Sequence, residues 1–278
     1  MVIAGCGLIL QASATMGQSP HLFGAIATDD STPSSLLSAL SGETARLLGR
    51  DLRHGDFREG AVVWDAGSDV GQIFFPISGT ISIRVPSRNG RGIEVATIGP
   101  EGAAGFHDGS GTVPVLTQAV VQAGGRFATI AAEAFHAAAS ECEELGRLAA
   151  VCKAWLLLQS QRTALCNTVH SADARFCRWL LRTSDALGAD IVRVTQEAIA
   201  EALGIRRTTA NLIAQQLQRK GTISCGRGKI AIRDRAGLQS AACDCYSVLG
   251  PRHWPCELLR GGGLFRRIDG AVSLNPRI

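Results

Sequence analysis

A short run of basic and polar residues after position 205 has the chemistry needed to read DNA bases. Arginine can form two hydrogen bonds to guanine, asparagine or glutamine can do the same with adenine, and threonine offers a methyl group to thymine. The residues concerned are Arg206, Arg207, Thr208, Thr209, Asn211 and Gln215. Because Ala210, Ile213 and Leu217 recur among them at helical spacing, the polar side chains are predicted to share the exposed face of one helix.

The residues before this helix predict a second helix and a tight turn. Thr195 can cap a helix whose inward face is Ile199, Ala202 and Leu203. Gly204 can end that helix, because glycine adopts a positive φ without steric cost. Two short helices around a glycine turn, the second carrying base-reading side chains, form a helix-turn-helix. The segment therefore predicts sequence-selective binding of double-stranded DNA.

A β-hairpin with a basic tip is predicted next. Two short runs at 222–225 and 229–232 flank a Gly-Arg-Gly turn, and Arg227 and Lys229 would contact phosphates, which position a protein without reading bases. Residues 193–235 contain nine basic and three acidic side chains, an excess of six against a net charge of +4 for the whole chain. These features predict a winged helix on a positive surface. The alternative is a helical hairpin with a solvated basic face.

The middle of the chain has the pattern of antiparallel β-structure. Residues 61–131 are rich in glycine and β-branched residues, and several runs alternate with a period of two. Many short strands at near-regular spacing predict a sandwich or barrel. A short amphipathic helix, or a pair of helices, is predicted before them at 36–52.

The chain after residue 131 is predicted to be helical, with one long helix over 143–169. This helix has two apolar rows, and a helix with two apolar faces usually has two partners. One partner would be the β-domain and the other a second copy of the chain; burial within a monomer is the alternative. The row assigned to dimerisation contains Leu148, Cys152, Trp155, Gln159 and Arg162. Further helices are predicted over 172–187 and from Asp234 to about 248.

The segment 194–223 resembles the C-terminal domain of Crp/Fnr transcription regulators. The resemblance lies in VTQEAIA at 194–200, GIRRTT at 204–209 and LQRKGTI at 217–223. Upstream, IFFPISG at 73–79 and IGPEG at 98–102 are similar to the cyclic-nucleotide-binding-like β-roll of that family. The resemblance covers residues 36–248. It implies a homodimer that reads a two-fold related DNA site, with RNA polymerase as a further candidate partner.

The predicted fold class is therefore α+β, with an N-terminal antiparallel β-roll, a long dimerisation helix and a C-terminal winged helix-turn-helix. The predicted segments are a disordered leader (1–33), a cyclic-nucleotide-binding-like β-roll (34–141), a dimerisation helix (142–170), a Crp-type winged helix-turn-helix DNA-binding domain (171–237), a C-terminal helix (238–248) and a disordered tail (249–278). The predicted function is that of a Crp/Fnr-type transcriptional regulator whose β-roll senses an unidentified signal. The alternative is a small-molecule or cyclic-nucleotide sensor whose primary role is ligand binding.

The resemblance implies that effector-binding residues lie at Glu101 and Gly102, but no cofactor is predicted. Cyclic-AMP-binding members carry an arginine for the phosphate, and residues 112–116 supply none, so cyclic AMP is not expected. Haem is not expected because His54 and His107 are isolated. An iron–sulfur cluster is not expected because Cys6 is alone near the N-terminus.

The nine cysteines contain no Cys-x-x-Cys pair, and the sequence predicts buried thiols, no metal site and no disulfide. The one close pair, Cys243 and Cys245, falls in the predicted last helix, where residues two apart point to different sides. Scattered thiols are typical of a reducing cytoplasm, and no apolar run is long enough to span a membrane. No phosphate-binding loop, nucleophile elbow or zinc-protease motif occurs, so neither an enzyme nor a catalytic residue is expected.

Overall fold

The computed structural model describes residues 34–88, 92–106, 115–248 and 254–259. The predicted leader at 1–33 lies outside these residues, as do His107 and positions 112–114. The strands are β1 (Arg53–Phe57), β2 (Val62–Trp64), β3 (Gln72–Pro76), β4 (Thr80–Pro86), β5 (Gly92–Ile98), β6 (Gln118–Ala123), β7 (Gly125–Ala131), β8 (Ile191–Arg193), β9 (Ile223–Gly226) and β10 (Lys229–Ile232). The helices are α1 (Gly42–Gly49), α2 (Ala132–Glu141), α3 (Glu143–Val169), α4 (Ala172–Leu187), α5 (Gln196–Leu203), α6 (Arg207–Arg219), α7 (Arg235–Ala241), α8 (Cys245–Val248) and α9 (Trp254–Leu259).

Strands β1–β7 form the predicted β-roll from two sheets, ordered β1-β7-β3 and β2-β6-β4-β5, and every pairing is antiparallel. Their alternating apolar residues meet in a core that includes Phe57, Phe74 and Phe127, with Phe57 and Phe127 in edge-to-face contact. Gly79 turns β3 into β4 with φ +83°, and a Cβ there would lie 2.4 Å from the Ala123 carbonyl oxygen. The turn therefore requires glycine.

Helix α3 runs for 27 residues and packs one face against the β-roll. Four of the five residues assigned to dimerisation are buried in the chain's own interior, namely Leu148, Cys152, Trp155 and Gln159. Arg162 is half-buried. A side chain enclosed by its own chain offers no surface to a second copy, so these four positions are corrected to core residues. The large apolar side chains of α3 that remain exposed are Leu157, Leu165 and Val169.

The C-terminal domain encloses its own core, as the helical spacing predicted. Helices α4–α7 and the sheet β8-β10-β9 surround buried Phe176, Leu180, Ile213 and Leu238. The predicted cap is confirmed, because the Asp234 side chain accepts a hydrogen bond from the Gly237 N–H at 2.9 Å. No described helix is long and apolar enough to cross a membrane.

The chain after residue 237 differs from its prediction in two places. The last predicted helix ends at Ala241, because Ala242 has an extended backbone, and Cys243 therefore lies between helices α7 and α8. Helix α9 lies within the segment predicted to be disordered, and its Cys256 and Leu259 are buried in the core beside α3. Helix α9 has six residues, which is too short for its periodicity to be recognised in the sequence. Its contacts with the core stabilise it.

Candidate nucleic-acid interface

The helix-turn-helix is built from α5 and α6, with Gly204 at the corner. Gly204 has φ +63°, and the Ile205 N–H donates to the Ala200 carbonyl at 2.9 Å, which closes the end of α5. Helix α6 turns Ile213 and Leu217 into the core and leaves its polar face outside. The predicted motif is confirmed over these residues.

The structure places most of the predicted DNA-binding side chains at the surface. Those that are exposed are Thr195, Arg206, Arg207, Thr208, Gln215, Arg227 and Lys229. Thr209 and Asn211 are half-buried, and the Asn211 Oδ1 is enclosed without a hydrogen-bond partner among the described residues. Thr195 has a structural role as well, because its hydroxyl accepts the Ala198 N–H at 3.1 Å and caps α5.

A cleft lies between the start of α6 and the wing formed by β9 and β10. It is lined by residues of both parts, including Thr195, Glu197, Arg207, Gly226 and Lys229. The two regions that the sequence singled out separately, one for base reading and one for phosphate contact, therefore form one continuous surface.

The exposed face of this surface is predominantly basic. Arg207 Nη1 lies 3.2 Å from Glu197 Oε2, and both side chains are more than half exposed. Such a pair contributes at most about 1 kcal/mol, so Arg207 can leave Glu197 at little cost in free energy. The pair also orients the guanidinium at the first turn of α6.

Two residues on this surface were missing from the predicted site. Arg193 is exposed and is the cross-strand partner of Lys229, so it adds a positive charge beside the wing. Arg193 contributes to the basic excess of residues 193–235, but it is not one of the predicted DNA-binding residues. Leu212 is 58% exposed on α6, four residues after Thr208, and offers an apolar contact of the kind that thymine methyl groups make.

The two residues predicted to bind an effector are both buried. Glu101 accepts the Gly99 N–H at 3.3 Å and interacts electrostatically with Arg182 of α4. A separate, largely apolar cavity lies inside the β-roll beside α3 and is lined in part by Trp64, Ile83 and Leu156. Neither Glu101 nor Gly102 lines that cavity.

A buried carboxylate joins the β-roll to the DNA-binding domain. Glu94 on β5 accepts hydrogen bonds from Ser82 Oγ at 2.6 Å, Thr97 Oγ1 at 2.8 Å and Gln122 Nε2 at 2.8 Å. Its fourth donor comes from the other domain, since Trp179 Nε1 of α4 lies 2.8 Å from Glu94 Oε1. Three of the four donors thus come from the β-roll, and the fourth links the carboxylate to α4.

Further polar contacts surround this junction. Gln159 Oε1 of α3 accepts from the Thr97 N–H at 3.2 Å and from Arg182 Nη2 at 3.1 Å. Arg84 Nη1 on β4 lies 3.7 Å from Glu201 Oε2 on α5. The DNA-binding domain is therefore in contact with the long helix through α4 and with the β-roll through α4 and α5.

The spacing of the cysteines argued against a metal site, but the structure brings three of them together with a histidine. The ligand atoms of Cys166, His170, Cys243 and Cys245 all lie within 4.8 Å of one another. Cys243 is in a turn and not in a helix, so the argument that two residues two apart must diverge does not hold for this pair.

The fold is that of a winged helix-turn-helix attached to a β-roll. Residues 174–241 match the family model of the Crp-like helix-turn-helix domain. The chain therefore carries a Crp-like helix-turn-helix domain, and the resemblance to Crp/Fnr regulators is confirmed. No curated protein matches the sequence significantly.

Several solved structures share the fold over most of their length. A structure described as a Crp/Fnr-family transcriptional regulator of Eubacterium rectale is 18% identical, covers 74% of this chain and 96% of its own, and has a TM-score of 0.59. FixK2 of Bradyrhizobium japonicum is 17% identical, with coverages of 69% and 98% and a TM-score of 0.60. The c-di-GMP-responsive global regulator CLP of Xanthomonas campestris is 18% identical, with coverages of 69% and 99% and a TM-score of 0.57. These likenesses show that the chain has the Crp/Fnr fold.

Proposed function

We propose that the protein is a sequence-specific transcriptional regulator of the Crp/Fnr type that binds DNA as a homodimer. The observation that carries the proposal is the continuous surface of α6 and the wing, where side chains able to read bases lie beside side chains able to hold phosphates. A surface for sensing alone would not need this arrangement, so the sensor-only alternative is not favoured.

Within this function the exposed residues divide into two groups. Arg207, Thr208 and Gln215 project from the face of α6 that would enter the major groove and read bases, with Leu212 against a thymine methyl group. Arg193, Arg227 and Lys229 lie on or beside the wing and would bind phosphates. Arg206 precedes the first turn of α6, where it would bind a phosphate next to the groove.

The exposed apolar row of α3 supports the homodimer. Leu157 is 59% exposed, Leu165 44% and Val169 59%. Their spacing of eight and four residues places them on one face of the helix, away from the β-roll. Pairing of this row with its copy would bury it and would place two DNA-binding domains on a two-fold axis.

The β-roll would supply the signal through its contacts with the DNA-binding domain. A ligand can change DNA affinity only if it binds one arrangement of the two domains better than another. The Glu94–Trp179 contact is a connection through which a change in the β-roll would act on α4.

The test of DNA recognition begins with selection of bound sequences from random DNA by the purified protein. On the selected site, Arg207→Ala is expected to weaken binding by about 1–3 kcal/mol, or roughly 5- to 150-fold, and to relax preference at one base pair. Titrations measured by fluorescence anisotropy on selected and on random DNA separate the two effects. Arg50→Ala is the control, since this arginine is exposed in the N-terminal region.

Lys229→Ala is expected to act differently, because a phosphate contact carries no sequence information. All DNA sequences should lose affinity to a similar extent, and the slope of log affinity against log salt should fall by about 1. If Arg207→Ala instead weakened selected and random DNA equally, Arg207 would be a phosphate-binding residue. Failure to enrich any sequence would contradict the proposed function itself.

A further inference from the structure

Four side chains able to bind a metal converge where the long helix meets the DNA-binding domain. Cys166 lies in the last turn of α3, and His170 follows the end of that helix one turn later. Cys243 lies between α7 and α8, and Cys245 is the first residue of α8, both more than 70 residues further along the chain. The three thiols are buried, with exposed fractions of 0%, 7% and 1%.

The ligand atoms of this cluster all lie within 4.8 Å of one another, and two of the distances are close to those between ligands of a single ion. Cys166 Sγ and Cys243 Sγ are 3.4 Å apart, and Cys245 Sγ and His170 Nδ1 are 3.7 Å apart. A disulfide would require about 2.05 Å. A tetrahedral ion with metal–sulfur bonds of about 2.3 Å and metal–nitrogen bonds of about 2.0 Å separates its ligands by about 3.5–3.8 Å.

The residues around the cluster complete the surroundings of a metal site. His170 Nε2 lies 3.1 Å from Asp244 Oδ1, which fixes the imidazole so that Nδ1 faces the thiols. The buried guanidinium of Arg178 on α4 interacts electrostatically with all three thiols. It would balance the single negative charge of a divalent ion with three thiolates. His170 is only half-buried, which leaves a path for the ion.

We propose that Cys166, His170, Cys243 and Cys245 bind one structural zinc ion. Three thiolates and one imidazole in a tetrahedron are a usual donor set for structural zinc, and four protein ligands leave no open position for catalysis. An iron–sulfur cluster fits less well, because its own iron and sulfide atoms would hold the cysteine sulfurs further apart. Packing of small thiols against Ala174 accounts for their burial but not for the oriented imidazole.

The position of this ion would give it a defined structural effect. It would fasten the segment after α7 to the end of α3 and would fix the short linker between α3 and α4. This linker connects the long helix to the domain that carries the recognition helix. Zinc would therefore stabilise one arrangement of the two, since metal bound only by the folded chain adds its binding free energy to folding.

The test is the metal content of the full-length chain, purified under reducing conditions from zinc-supplemented cultures and passed through gel filtration. Mass spectrometry of the metals is expected to find one zinc ion per chain. Titration of the thiols with an organomercurial should release that zinc. A chromogenic chelator measures the released ion. Exchange with Co²⁺ should give the visible absorption of a tetrahedral thiolate site.

Three variants test whether these residues bind the zinc. Cys243→Ser should lose the zinc, whereas Cys225→Ser, a half-buried thiol on the wing and outside the cluster, should retain it. Asp244→Asn should keep the fold but lower zinc affinity by about 10- to 100-fold in competition with a chelator. Because Asp244 is not a ligand and its side chain is 75% exposed, this variant tests the site even if Cys243→Ser does not fold.

Several results would overturn the proposal. A folded chain that holds no zinc and does not bind Co²⁺ would leave the cluster as thiol packing. Iron with strong visible absorption would assign it to an iron–sulfur cluster instead. Equal loss of zinc in Cys225→Ser and Cys243→Ser would place the metal elsewhere. None of these outcomes depends on DNA binding, so the zinc site and the proposed function fail separately.

Discussion

Replacement of Leu157 by glutamate is expected to convert the proposed dimer into monomers and to weaken operator binding by about 10²- to 10⁴-fold. Leu157 is 59% exposed in the middle of α3, and its copy would face it across the two-fold axis. Two carboxylates buried against each other repel and lose their hydration, which an interface of this kind cannot compensate. The monomer keeps one recognition helix and loses the gain from binding two half-sites at once.

The measurements are light scattering coupled to gel filtration and titration with a DNA duplex carrying both half-sites. Leu116→Glu is the matched control, because Leu116 is 74% exposed in the β-domain, outside α3, and receives the same new charge. Both variants should keep the circular dichroism spectrum of the original chain. If the original chain elutes as a monomer at micromolar concentration, or if Leu157→Glu remains a dimer, the exposed row of α3 is not the interface.

The second large effect is expected from Glu94→Ala. This change removes the acceptor of four hydrogen bonds, and the Trp179 N–H, which cannot rotate to another partner as a hydroxyl can, is left buried and unpaired. A buried polar group without its partner costs about 1–3 kcal/mol, and hydrogen bonds to a charged acceptor are among the stronger ones. We expect a loss of about 2–4 kcal/mol in the free energy of unfolding.

Urea denaturation followed by circular dichroism measures this loss. Trp179→Phe is the matched variant, because it removes only the donor from α4 and keeps an aromatic ring in the junction. It should cost less than Glu94→Ala, and it should increase cleavage by protease between the β-roll and the DNA-binding domain. Unchanged stability of Glu94→Ala would show that the carboxylate does not hold the domains together. If both variants lost the same free energy of unfolding, the contact with Trp179 alone would account for the effect of Glu94→Ala.

The helix-turn-helix was predictable because its signals are local. A cap at Thr195, a turn at Gly204 and apolar residues three and four apart lie within about 25 residues, and each constrains the backbone next to it. The alternation along residues 61–131 predicted antiparallel strands for the same reason. The pairing order of those strands does not follow from alternation, because it depends on which distant strands meet.

The faces of α3 show where periodicity stops being informative. Both rows of this helix are apolar, and the row that was predicted to face a second chain is one that the chain buries itself. The row with Leu148, Trp155 and Gln159 is covered by the chain's own β-roll and DNA-binding domain. Only the packing of the other elements decides which side of a helix stays open.

The exposed polar face of α6 was thus determined by the sequence alone, since the side chains proposed to read bases and the turn that presents them are close neighbours in the chain. The tertiary structure decided what surrounds this face. The wing and Arg207 line the same cleft, and Trp179 donates a hydrogen bond to Glu94. Cys166, His170, Cys243 and Cys245 lie within 4.8 Å of one another. Contacts between residues tens of positions apart leave no periodic trace in a sequence, because they depend on how whole elements pack.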